Sequence, residues 1–315
     1  MPQWRAPAVN RLTYSLKPVP PFRLDLAVWT LRRRPENVID RWDGRCYRRV
    51  LALGSGPVEV AVTQAGSPEA PRLHIAVVGQ RTGPDTRAAV TTALERLLGL
   101  HVDLTEFERL AVHDDRLGPL ARRFRGMKPP RFPTVFECVV NAIASQQVTL
   151  TLGVRLLGLL AESHGLAMGG ADAPVHAFPQ PEDLARLKPE ELRTLGFSRQ
   201  KARAVIELSS AIAEGHLNLE ALASESDEAA LDRLSRVRGV GRWTGEYVLL
   251  RGLGRLHVFP GDDVGARNNL LRWLGLTGPL NSDGARRAVT PWSAYAGLVY
   301  FHLLLERLVE AGYVS

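Results

Sequence analysis

Leu234-Ser235-Arg236-Val237-Arg238-Gly239-Val240-Gly241-Arg242-Trp243-Thr244-Gly245-Glu246-Tyr247 is the stretch whose reading decides this fold. About fifteen residues on, Val258-Phe259-Pro260-Gly261-Asp262-Asp263 ends in a carboxylate-bearing loop. Two glycines flank Val240 between a helix expected to end near Ser235 and one expected to begin near Arg242. Glycine permits positive φ and close approach, so N–H groups opening the second helix can point at a phosphate, with the helix dipole behind them. Such a grip ignores base identity. The carbonyls of Ser235, Val237 and Val240 can face inward around a monovalent cation, sodium or potassium. A plain αα-hairpin with a glycine turn has the same local pattern. Asp262 and Asp263 are equally open to two readings, a cap on the helix starting near Val264 or a chemical group beside the hairpin.

Working outward, helical periodicity fills residues 111–315, with breaks at 127–133, 165–180, 195–197 and 277–283. Pro181 opens one helix with Glu182 and Asp183 beside the positive end of its dipole, and Thr290-Pro291 is expected to open the last helix. The first third is different. Cys46 to Leu53, Val58 to Thr63 and Arg72 to Val78 are short β-branched-rich segments between Gly/Ser/Pro turns, which predicts an antiparallel meander. Ala88, Val90, Ala93, Leu94, Leu97 and Leu98 share a face of a helix that would cover that sheet. The fold expected is an α+β N-terminal domain over residues 1–110, an antiparallel sheet with helices, followed by an all-α region over 111–315. The hairpin occupies 234–254 and the carboxylate loop 258–264. With no repeat and no linker between its helical pieces, that region should pack as one interleaved unit whose cleft is the natural site.

A chain of 315 residues with 45% hydrophobic and 23% charged residues can build sizeable cores. Its net charge of +7 favours a polyanion, nucleic acid before an anionic membrane surface. The basic residues are nearly all Arg, which GC-rich codon usage also produces. Cys46 and Cys138 are too few for a disulfide framework, a four-cysteine zinc site or an iron–sulfur cluster. No secretory signal or membrane-spanning run is visible, so a cytoplasmic protein, nucleoid-associated if bacterial, is expected to act as a monomer without a membrane. The runs Arg32-Arg33-Arg34, Arg45 with Arg48-Arg49, and Arg122-Arg123 with Arg125 read either as backbone contacts or as solvated faces.

The hairpin and its downstream aspartates resemble those of the helix-hairpin-helix DNA glycosylase superfamily, and within it the 3-methyladenine DNA glycosylase II (AlkA) type. Phe136-Glu137 through Ile143-Ala144-Ser145-Gln146-Gln147-Val148, Gly196-Phe197-Ser198-Arg199-Gln200-Lys201-Ala202 and Pro291-Trp292-Ser293-Ala294-Tyr295-Ala296 occur in that family's order. The resemblance implies that Asp263 is the catalytic aspartate, with Asp262 the lesser candidate. A carboxylate beside the anomeric carbon stabilises the positive charge that builds as an N-glycosidic bond breaks. It implies a base pocket of Trp243, Tyr247 and Trp292, whose faces attract cationic alkylated purines, although any one of them alone reads as a core aromatic. Gly239, Val240, Gly241, Arg242 and Thr244 would hold duplex DNA carrying a damaged base. Gln147 would fill the gap left by the flipped nucleotide, or serve as a polar helix cap.

Three departures stand out. Gln147 replaces the type's leucine, Arg238 the hairpin proline, and Val264 an aromatic residue. At position 243, where lyase members of the superfamily carry a nucleophilic lysine, this chain has Trp, and no lysine follows Lys201. The expected activity is hydrolytic excision of alkylated purines without strand cleavage and without an organic cofactor. A glycosylase for deaminated or oxidised bases and a non-catalytic damage-recognition protein are the alternatives.

Overall fold

The computed structural model describes residues 10–170 and 173–314; the first nine residues of the expected N-terminal domain lie outside them. Five antiparallel strands form the N-terminal sheet: β1 (Asn10–Leu16), β2 (Arg41–Trp42), β3 (Cys46–Leu53), β4 (Gly56–Ala65) and β5 (Arg72–Gly79), in the order β1-β5-β4-β3-β2. The three long strands that alternation predicts are present, with Val58, Val60 and Val62 of β4 and Leu73, Ile75 and Val77 of β5 buried at period two. They face Val90, Leu94, Leu97 and Leu98 of the Pro84–Leu98 helix. Sequence periodicity missed β1, β2 and the Leu24–Arg32 helix. The last is buried almost all round.

That short helix joins the halves of the molecule. Leu24, Ala27, Val28 and Leu31 pack under the sheet, whereas Leu26 and Trp29 belong to a second core with Phe107, Leu117, Phe301 and Leu305. Residues from Leu104 onward join this second core, so the boundary expected near residue 110 falls a few residues earlier. The helical region holds two cores that interleave along the chain: Phe132 to Leu249 with Leu253 and Val258 packed against them, and Leu104 to Met127 with Leu250, Leu256 and Phe259 to Val314. It is not purely α, because β6 (Ala167–Met168) pairs with β7 (Val175–His176). No single helix among the described residues is long and apolar enough to cross a membrane.

Buried charge ties sheet to helices. Arg49 of β3 reaches Asp40 at 2.7 Å and Glu137 of the Val135–Ser145 helix at 2.6 Å, and the Tyr47 hydroxyl donates to Asp40 at 2.8 Å. Arg32, Arg33 and Arg49 are therefore interior residues rather than a solvated face or a phosphate track.

Candidate active site

The hairpin lies between the Asp227–Ser235 and Arg242–Arg251 helices. Gly239 has φ +78°, and a Cβ there would sit 3.0 Å from that of Ala204, so both backbone and space demand glycine. Gly241 differs from expectation: its φ of −97° suits any residue, and nothing lies within 4 Å of its missing Cβ. Its effect is to leave the helix uncapped. Elsewhere Thr134, Thr149, Ser198, Ser226 and Asn281 close a helix N-terminus with a side-chain oxygen. Among the described residues, the N–H groups of Arg242, Trp243 and Thr244 have no acceptor, which suits an incoming anion. The Ser235 and Val240 carbonyls also accept nothing there, while that of Val237 takes the Val240 N–H at 3.0 Å. Uncharged oxygens of this kind match a weakly charged cation.

Asp262 and Asp263 are set apart by their partners. Asp262 faces Arg286 at 3.2 Å and Arg242 at 3.9 Å. Partial burial raises its carboxyl, but the Ser282 hydroxyl and the Arg286 and Arg242 charges outweigh this and hold it below the usual range. Arg286 also reaches the buried Glu246 at 2.8 Å, so the loop is braced against the hairpin helix. Asp263 has no cationic partner among the described residues. Its Oδ1 accepts the Ala266 N–H at 2.7 Å, and its Oδ2 accepts Trp243 Nε1–H at 3.1 Å. The capping role is thus real, and it fixes the carboxylate rather than competing with chemistry. Phe259 and Ala266 root the loop in the second helical core and Trp243 packs against the first, so this bond spans the join between them.

The aromatic residues divide. Trp243 is part-exposed, tilted against Tyr247 with centroids 5.7 Å apart. Tyr247 is buried, its hydroxyl donating to Asn141 Oδ1 at 3.0 Å. Trp292 does not join them. The last helix begins only at Ala296, and Trp292 sits in the preceding 3₁₀ segment, Thr290–Tyr295, tucked against Trp273 and donating to Asp114 at 2.7 Å. Tyr300, one turn into that final helix, packs edge-on against Phe259 of the carboxylate loop. Burial pushes its phenol up to about 12, with the Asp263 charge adding to the rise and Arg251 opposing it. Sequence reasoning passed over Tyr300 and Asn141 because their apolar neighbours read as plain core.

The turn at residues 145–148 lies against the hairpin. Gln147 is exposed, with φ +53°, a conformation uncommon outside glycine. Gln146, not Gln147, ends the Val135–Ser145 helix, and its Nε2 donates to the Gly239 carbonyl at 2.7 Å and Thr244 Oγ1 at 3.0 Å. Thr244, read as a DNA contact, is buried with its hydroxyl committed to this bridge. Lys201 donates to the Ala144 carbonyl at 2.9 Å.

Residues 140–293 match the HhH-GPD superfamily of base excision DNA repair proteins. That match covers just under half of the chain. It is 28% identical to DNA-3-methyladenine glycosylase 2 of Escherichia coli over 285 residues, 90% of this chain and 94% of the relative. A 3-methyladenine DNA glycosylase from Archaeoglobus fulgidus superposes with TM-score 0.80 at 26% identity, covering 94% of this chain and 98% of the other. An 8-oxoguanine glycosylase/lyase from Clostridium acetobutylicum shares the fold, with TM-score 0.70 at 17% identity over 94% and 97% of the two chains. In sequence and in fold, the chain is thus similar to DNA-3-methyladenine glycosylases of base excision repair.

Proposed function

We propose that this protein is a glycosylase that removes alkylated purines such as 3-methyladenine from duplex DNA by Asp263-assisted hydrolysis, leaving an abasic site. The observation that carries the reading is the isolation of Asp263. Among the described residues it is the acid of the loop with no cationic partner, held by one backbone and one indole N–H beside the Trp243–Tyr247 pair. The uncapped Arg242–Arg251 helix would hold a phosphate, and Gln147 would enter the stack as the damaged nucleotide turns out. As the glycosidic bond breaks, its electron pair leaves with the base. Asp263 would stabilise the positive sugar and orient the water whose oxygen joins C1′. The carbonyls of Ser235, Val237 and Val240 would hold a sodium or potassium ion, which supplies charge beside the bound phosphate.

Trp243 stands where a lyase would need an amine, and Lys201 is engaged with a helix carbonyl, which supports hydrolysis without strand cleavage. Asp263→Asn keeps an oxygen for the Ala266 cap, so fold and abasic-duplex binding should persist. Excision from randomly methylated duplex, followed by chromatography of released bases, should fall by at least about a hundredfold. Unchanged excision would remove Asp263 from the chemistry, and strand nicking by the pure wild type would remove the hydrolytic assignment.

A further inference from the structure

Two buried guanidinium groups lie by Tyr247 and its partner Asn141, and neither forms an ion pair among the described residues. Arg251 is 0% exposed and Arg33 is 6% exposed. Arg251 is accounted for by packing: it lies over Phe132, Tyr247 and Phe301 at 5.4–5.6 Å from their ring centroids, and donates to the Thr30 carbonyl at 2.9 Å. Arg33 is not. It closes the Leu24–Arg32 helix with φ +59°, a left-handed backbone that turns its side chain away from the sheet and toward Asn141. Its Nη2 donates to Asn141 Oδ1 at 2.8 Å, the same oxygen that takes the Tyr247 hydroxyl, and its Nε–H has no partner. Through Asn141 the guanidinium is linked to Tyr247, whose ring lies against Trp243, and Trp243 in turn donates to Asp263. A buried cation answered only by an amide oxygen is costly unless something else meets it.

Taking the glycosylase assignment above as its basis, we propose that Arg33 is a specificity-determining residue that meets an acceptor on the flipped base and extends excision from alkylated purines to neutral purines bearing a ring carbonyl. The chemistry differs between lesion classes. A purine made cationic by alkylation takes the glycosidic electron pair and leaves neutral, needing no further help. A neutral purine takes the same pair and leaves as an anion, until solvent returns a proton to the ring. Water supplies the oxygen at C1′ and loses its proton in both cases. A guanidinium hydrogen-bonded to the base stabilises only the anionic departure, and it opposes entry of a base already positive.

The test compares wild type, Arg33→Lys and Arg33→Met on two duplexes, one carrying hypoxanthine and one carrying 7-methylguanine, under single-turnover conditions. Melting temperature and affinity for an abasic-site duplex serve as controls on fold. In Arg33→Met, hypoxanthine release should fall about a hundredfold while 7-methylguanine release stays level or rises, with partial recovery of hypoxanthine release in Arg33→Lys. Equal losses on both duplexes would make Arg33 a structural residue and overturn the proposal, as would wild-type release of 7-methylguanine alone. Release of neither base by the wild type would instead bring down the glycosylase assignment and the proposal with it.

Discussion

At the scale of the residue, Trp243 carries two duties that its aromatic character alone does not reveal. Its ring forms one wall with Tyr247, and its indole N–H steadies the Asp263 carboxylate. Trp243→Phe keeps the wall and removes the bond, a loss of about 1 kcal/mol and so a five- to tenfold slower excision at nearly unchanged melting temperature. Single-turnover rates check this; an unchanged rate would mean the bond does not position the acid. His302 answers a different question. It is buried between Phe107 and Phe124, and burial pushes its imidazole down to about 4. Below pH 6.5 the unfolded chain takes a proton that the folded protein refuses until about pH 4. The neutral ring's contribution is therefore complete above pH 6.5 and is lost as pH falls through that window, on the order of 3 kcal/mol in all. Thermal melts from pH 7 to 4.5 should show a steeper decline for wild type than for His302→Phe, and parallel curves would contradict it.

At the scale of the element, the bridge from Gln146 to Gly239 and Thr244 makes the 145–148 turn and the hairpin one surface. Gln146→Ala leaves the Thr244 hydroxyl and Gly239 carbonyl without this donor, at a cost of about 1–3 kcal/mol. Abasic-duplex affinity should drop together with stability, and a drop in stability alone would show that the bridge does not shape the grip. Gln147→Gly separates backbone from side chain. Relief of the left-handed strain should stabilise the fold by about 1 kcal/mol, while loss of the wedge slows excision. Faster or equal excision would show that Gln147 does not enter the stack.

These elements also show what sequence can and cannot reveal. Gly239 and Asp263 were legible because each is locally demanded, one by its φ and one by a helix start, and the strands were legible through period-two burial. A motif gives order along the chain and not placement, and the 3₁₀ segment at Thr290–Tyr295 sets the Trp292 ring against Trp273 in the C-terminal core. Arg33 was invisible as a partner of Asn141, which lies 108 positions away. Long-range partners of this kind leave no periodic trace.

At the scale of the whole molecule, charge and apolar packing act at the same seam between the sheet domain and the helices. Arg49 holds Asp40 and Glu137 where none of the three is open to water. Glu137→Gln leaves Arg49 short of one counter-charge and should lower stability by about 3–5 kcal/mol. Chemical denaturation would measure it, and a change below 1 kcal/mol would show that Asp40 alone suffices. The Leu24–Arg32 helix has a broader consequence. Because Leu24 and Leu31 serve one core while Leu26 and Trp29 serve another, neither half can be exchanged by recombination without rebuilding the other's interior. Cut from the sheet domain, the helical region of this chain would lose Leu26 and Trp29 from its second core and leave Phe107, Leu117, Phe301 and Leu305 with an open apolar face.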